Sequence, residues 1–147
     1  MTDTCAELQR QLHHDIPLTQ TMGLRVLAWD GVQLRLGLPL AANGNHAGSM
    51  FGGSLYSLAV LCGWGWLLLK LREAGIDDGQ IVIQSAQCDY LQPVLADAEA
   101  SCAAPAEADW QRFLTLYRRR GLARLRLCSE VPGALRFAGD FVVQRRG

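Results

Sequence analysis

Between Val32 and Leu38, Val32, Leu34, Leu36 and Leu38 alternate with Gln33, Arg35 and Gly37, the period of two that marks a half-buried strand. A strand pattern also starts at Leu24, and Asp30-Gly31 between the two is a hairpin signal because both residues tolerate a tight-turn backbone. Two antiparallel strands are predicted, followed by a loop from Pro39 to Met50. Upstream, Thr4 to His13 reads as a short helix, with Thr4 as N-cap, Glu7 in the capping-box position and Pro17 ending it. Beyond the loop the pattern changes: from about Gly53 to Glu73 the chain is apolar nearly all round a helix, which stops at Gly75 as a C′ glycine. Gln80 to Tyr90 predicts a long strand. Ala96 to Cys102 predicts another, with Ala96, Ala98, Ala100 and Cys102 alternating against Asp97, Glu99 and Ser101. Pro105 opens a further helix whose Trp110, Phe113, Leu114 and Tyr117 share one face, and Gly121 closes it. Two last strands, Leu122 to Val131 and Ala134 to Gln144, join through the turn dipeptide Pro132-Gly133.

The order is thus helix, two strands, long helix, two strands, short helix, two strands. Hairpin-like connections predict a largely antiparallel sheet, and a helix apolar on every side must be wrapped by it. Small residues on the Ala96 to Cys102 strand let the helix come close. This is an α+β fold of the hot-dog type, an antiparallel sheet around a long central helix, in one domain spanning residues 1–147. A single curved sheet leaves edges unpaired, which predicts a homodimer or a dimer of dimers that continues the sheet between subunits. The uncharged stretch Ala47 to Leu69 is about long enough to span a membrane. Gly48, Ser49, Gly52, Gly53, Ser54 and Ser57 occupy its first half, however, and amphipathic strands flank it, so it is predicted to be core with no membrane partner.

Half of the residues are hydrophobic and about a fifth are charged, ordinary values for a globular domain. The 14 basic and 14 acidic residues balance, so no global field recruits nucleic acid, and an anionic ligand needs a local patch. Cys5, Cys62, Cys88, Cys102 and Cys128 are odd in number, scattered and without a C-x-x-C pair. That predicts free thiols in a reducing cytosol rather than a zinc site or a disulfide framework. The N-terminal residues carry early acids and no apolar core, unlike a signal peptide. A cytoplasmic protein using neither metal nor cofactor is expected.

The candidate chemistry gathers at the head of the long helix. Gly52 and Gly53 let a ligand or another backbone approach, and the free N–H groups of a helix start attract negative charge. Amides near Gly52, Gly53 and Ser54 suit an oxyanion; the same glycines also serve a helix that merely crosses tightly over strands. A few residues upstream stand Asn45 and His46. An imidazole titrates near neutral pH and suits a general base, with Asn45 orienting water or a carbonyl; Asn43-Gly44-Asn45 equally reads as a plain turn. Asp89 is the one carboxylate on the long third strand, either a base reaching across a subunit interface or a solvated strand residue. Arg118, Arg119 and Arg120, with Arg124 and Arg126 on the next strand, either bind phosphates or complement a helix C-terminus and face water. Cys62 and Cys88 sit among apolar neighbours and read as inert packing, and Trp64 and Trp66 as core or interface.

Four stretches carry a family resemblance: Asn45-His46-Ala47-Gly48-Ser49-Met50-Phe51-Gly52-Gly53-Ser54-Leu55, Gly63-Trp64, Tyr90-Leu91-Gln92-Pro93-Val94, and Phe137-Ala138-Gly139-Asp140-Phe141-Val142. In this order they resemble the thioesterases typified by the C-terminal domain of the bacterial protein YiiD, within the hot-dog superfamily. The resemblance implies a hot-dog fold, oligomerisation, and acyl thioesters of coenzyme A or acyl carrier protein as substrates. Some relatives carry a fused N-acetyltransferase domain, for which this sequence is too short. Residues expected to meet the substrate are Phe51, Gly52, Ser54 and Tyr90, with Arg119 and Arg120 at the carrier.

One departure stands out. Many acyl-CoA thioesterases of this fold have His-Gly-Gly at the helix head and an Asp or Glu about a dozen residues later. Here Phe51 replaces that histidine, and no carboxylate lies near Cys62 and Gly63. The expected machinery is therefore His46 or Asp89 activating water, Asn45 positioning it, and Gly53 with Gly52 holding the oxyanion. The rivals are a dehydratase or hydratase of the same fold, and an acyl-CoA or carrier-protein binding subunit without catalysis.

Overall fold

The computed structural model describes residues 2–147 and has the predicted architecture. Helix α1 (Asp3–Asp15) is capped by Thr2, whose side chain accepts the Cys5 N–H, so the cap lies two residues before the predicted Thr4. Pro17 ends α1 but then serves as N-cap of a second short helix, α2 (Leu18–Met22), closed by Gly23 at φ 72°. Strands β1 (Arg25–Trp29) and β2 (Gln33–Leu38) pair antiparallel. Asp30 holds their turn by accepting the N–H groups of Val32 and Gln33. The loop after β2 contains one unpredicted turn of helix, α3 (Leu40–Asn43).

The central helix α4 (Gly52–Glu73) leads to β3 (Gly79–Tyr90) and β4 (Ala98–Ala103). Helix α5 (Glu107–Arg120) starts two residues after Pro105 and is followed by β5 (Leu122–Val131) and β6 (Leu135–Arg145). The six strands form one antiparallel sheet in the order β1-β2-β4-β5-β6-β3. Helix α4 touches every strand from β2 to β6. Although long and apolar enough to cross a membrane by composition, it is the core of this fold, with Leu58, Cys62, Trp66 and Leu67 wholly buried.

Close approach is what lets one helix serve five strands. A side chain at Gly63 would collide with the ring of Phe141, and one at Gly65 with Leu34. The Cys62 thiol donates to Leu34 O (3.4 Å) and lies 3.6 Å from Ala100 O, facing the small residues Ala98, Ala100 and Cys102 as the β4 alternation predicts. Helix α5 closes the far end through a run of aromatic contacts from Trp66 to Trp110, Phe113 and Tyr117. Among the described residues no helix covers the opposite face of the sheet, which carries ion pairs such as Arg35–Glu99 (3.2 Å) and Arg126–Asp140 (3.3 Å).

All five cysteines are free. Burial pushes the Cys62 thiol well above its ordinary value of 9.0 and the Cys102 thiol up to about 12. Folding therefore retains two protons that an unfolded chain surrenders above pH 9, so stability should be complete below that pH and fall between pH 9 and about 12. Urea unfolding across this range checks it, and a flat profile would contradict it. Iodoacetamide at pH 8 should modify exposed Cys128 while sparing buried Cys62 and Cys102.

Candidate active site

The head of α4 is fixed from three sides. The Phe51 N–H donates to Asn43 O (2.7 Å), and Met50 N–H to Val94 O (2.8 Å) beyond the end of β3. The buried Asn43 side chain in turn donates to Met22 O and Pro39 O, both 2.8 Å. Asn43 is thus a positioning residue that sequence reading passed over as part of a turn; its burial is a property of tertiary packing. From β3, Tyr90 donates its hydroxyl to Gly52 O (2.8 Å). Burial, with Cys88 beside it, pushes the Tyr90 hydroxyl up, which keeps it a donor.

The first turn of α4 has four N–H groups to place. Those of Ser54 and Leu55 both go to Phe51 O, at 3.0 and 3.1 Å. The N–H groups of Gly52 and Gly53 have no acceptor among the described residues. Ser54 itself is buried, so the expected set of three amides narrows to the two glycines. A cavity of about 280 Å³ opens beside Gly52, between Ser49, Met50 and the stretch from Tyr90 to Val94. Next to the head along the helix, a separate apolar groove of about 250 Å³ is lined by Tyr56, Ser57 and Val60 of α4, Thr19 and Met22 of α2, and Ile83 of β3. Gly53 shares the helix face of Ser57 and Val60 at i, i+4 and i+7. Phe51 is exposed, and its ring fills the space a side chain at Gly53 would need.

The loop residues have divided roles. Asn45 Oδ1 accepts the N–H groups of Ala47 (2.9 Å) and Ser49 (3.1 Å), and its Nδ2 donates to Ser49 Oγ (2.9 Å). Its side chain is spent on holding the loop. His46 is exposed at the loop tip, with no hydrogen bond to the described residues.

Two groups of expected site residues lie elsewhere in the protomer. Asp89 alternates with Tyr90 and so faces away from α4. It pairs with Arg136 across β6 and lines a cavity of about 540 Å³ on the helix-free face, with Ser101, Cys128 and Glu130. Arg119 and Arg120 are exposed in the last turn of α5. Gly121 follows them and bonds to Arg145, which pairs with Gly79 at the opposite end of β3 from Tyr90. Neither the cavity beside Gly52 nor the groove is lined by an Asp, Glu or His. No group of three His, Cys, Asp or Glu side chains suits a metal among the described residues.

Residues 5–145 match the sequence profile of a family described as putative thioesterase, YiiD C-terminal. Among solved structures, a Chlorobaculum tepidum protein of unknown function is 30% identical, with TM-score 0.91 over 97% of this chain and 94% of its own. A putative thioesterase from Shewanella oneidensis is 28% identical, with TM-score 0.83 over 99% of this chain and all of its own. A Pseudomonas aeruginosa protein described as a probable thioesterase is 26% identical, with TM-score 0.78 over 96% of each chain.

Proposed function

Since the chain belongs to the YiiD C-terminal thioesterase family of hot-dog proteins, we propose that it hydrolyses acyl thioesters of coenzyme A or acyl carrier protein at the head of α4. The observation that carries this reading is the pair of unspent N–H groups at Gly52 and Gly53, at the start of a 22-residue helix whose first residue, Gly52, lines an open cavity. Attack of water on a thioester carbonyl puts negative charge on its oxygen, and donors already aimed at that charge stabilise the transition state more than the ground state. The groove along α4 receives the acyl group. It measures about 250 Å³ and its lining is mostly apolar, as an acyl chain requires.

His46 takes the proton from the attacking water, imidazole being the side chain most often used as a general base. The thiolate of the carrier then leaves and is protonated. Asn45 supports this by fixing the loop that bears His46. The His46→Ala variant should lose at least about 10-fold in turnover of acyl-CoAs, the full general-base contribution being about 100-fold or more. Release of free thiol from a panel of acyl-CoAs measures it, and unchanged turnover removes His46 from the mechanism. The lack of any carboxylate or imidazole lining the cavity favours one rival, an acyl-thioester binding protein; that protein would bind the panel tightly and release no thiol. Free thiols throughout the fold fit a reducing, cytoplasmic setting.

A further inference from the structure

We infer that Trp64 closes the acyl groove and sets the longest acyl chain this site accepts, the substrate's tail being a plain hydrocarbon laid along α4 from the Gly53 amide. The inference rests on the hydrolase reading above and concerns the part of the substrate that the helix head does not touch. Its starting point is the pattern of burial within α4. Between Gly53 and Leu68 the residues that are not buried are Gly53, Tyr56, Ser57, Val60, Trp64 and Leu68. All but Tyr56 recur at i, i+4, i+7, i+11 and i+15, so they form one stripe down the helix. Different parts of the fold cover the two flanks of that stripe. A side chain at Gly65 would meet Leu8 of α1, and one at Gly63 the ring of Phe141 in β6. Trp64 stands between these two glycines, in the gap that the N-terminal helices and the sheet leave open.

The groove occupies the first half of this stripe. Its α4 wall runs from Tyr56 through Ser57 and Val60 to Leu61, with Ile16 and Ile83 contributed by the elements on either side. The next residue on the stripe is Trp64, and the lining ends before it. A long side chain on a helix leans back over the turn on its N-terminal side, so the indole covers the space just past Val60. Trp64 is half-buried and packs against the core, which holds it in place. Nothing larger than an isopropyl group stands on the stripe before it, at Gly53, Ser57 or Val60. Both hydroxyls of the groove are engaged: Thr19 Oγ1 lies 2.8 Å from Ile16 O and 3.1 Å from Leu12 O, and Ser57 Oγ donates to Gly53 O (2.9 Å). What remains to meet a substrate is chiefly hydrocarbon, which fits an unsubstituted chain and leaves a polar one poorly solvated. Beyond Trp64 the stripe continues to Leu68, again apolar and half-buried. The indole is therefore a partition across a longer apolar track. Gly63 and Trp64 divide the work: the glycine admits the Phe141 ring, and the tryptophan beside it shuts the groove.

Chain-length profiles test the proposal. For the wild type, kcat/KM is measured by thiol release over saturated straight-chain acyl-CoAs from acetyl to palmitoyl, and it should fall at least about tenfold once the tail meets the indole. In Trp64→Ala the stripe is open as far as Leu68, four residues or about 6 Å further along the helix. At roughly 1.2 Å per skeletal bond of an extended chain, that moves the fall about five carbons towards longer substrates. Val60→Trp builds the same wall one turn nearer Gly53 and should move the fall about as far towards shorter ones. The readout is the ratio of long-chain to short-chain kcat/KM, which damage to the fold or to the helix head lowers at every length alike and so leaves unchanged. Circular dichroism checks that each variant is folded; should alanine not be tolerated, Trp64→Phe trims the wall and should give a smaller shift in the same direction. An unchanged profile in a folded Trp64 variant, or a loss spread evenly over all lengths, overturns the proposal. So does a Val60→Trp protein that keeps its long-chain rates, or a wild type indifferent to chain length. A wild type that releases no thiol defeats the hydrolase reading alone, and dissociation constants of the same acyl-CoAs for the same proteins then decide where the groove ends.

Discussion

Replacing Gly52 with proline is expected to lower thioester turnover by about 100- to 1,000-fold, the usual cost of losing one oxyanion donor, while the protein stays folded. The substitution removes one N–H that has no acceptor within the described fold. Position 52 is the first residue of α4, where proline is favoured because its fixed φ suits a helix start. Phe51 before it already has φ −58° and ψ 132°, the extended backbone that a following proline demands. Gly52→Ala is the control: its methyl group meets the Tyr90 ring at 3.4 Å, an approach close to ordinary contact, and it retains the N–H. Alanine should therefore keep turnover within a few-fold. Equal losses in both variants would assign the effect to crowding against Tyr90, and full activity in the proline variant would remove the Gly52 amide from the mechanism. Thermal unfolding of all three proteins separates either result from misfolding.

The largest loss of stability is expected at Trp66. This side chain is wholly buried; its Nε1 donates to Val32 O (2.9 Å) and its ring meets Trp110 edge-on at 5.5 Å. One residue thereby fastens α4 to the β1–β2 turn and to α5. Truncating a buried tryptophan costs about 3–5 kcal/mol through lost contacts and the cavity left behind. In a domain of this size that lowers the melting temperature by roughly 10–20 °C. Trp66→Ala followed by calorimetry or urea titration measures the change, and a drop below about 1.5 kcal/mol would mean that this corner collapses to fill the space. Trp66→Phe should fall in between, retaining an aromatic contact but leaving the Val32 carbonyl without its donor.

Much of this fold is legible in the sequence because burial follows simple periods. β5 alternates exposed and buried residues along its whole length, and α4 is apolar all round because strands surround it. The short helices α2 and α3 escaped notice since neither has enough turns to show a period, and α2 depends on Pro17 restarting a helix after stopping one. At the site, the paired glycines are readable as a helix head, but which amides remain free depends on Phe51 O accepting two of them. Asp89 shows a different limit. Counting by twos from Ile81 and Ile83, which face α4, also turns Asp89 towards the helix. The register shift between Ile83 and Ser85 makes Gln84 an extra residue and reverses the count, so Tyr90 faces Gly52 and Asp89 faces Arg136. Nothing in the residue types around Gln84 announces that bulge. Asn45 is the converse case: its residue type fits a turn as well as a site, and its hydrogen bonds hold a turn.

The strand order has a consequence for how the molecule is made. Strand β6 follows every other strand in the sequence, yet it lies between β5 and β3, and β3 has no other partner strand among the described residues. A ribosome releases β3 long before β6, so the sheet cannot close until β6 has emerged. Throughout that interval the nascent chain displays an unpaired and almost uncharged ribbon, the kind of segment that sticks to its neighbours on a polysome. Deleting residues 134–145, which carry β6, would leave that ribbon permanently orphaned, and the product should accumulate as aggregate rather than as a smaller soluble domain.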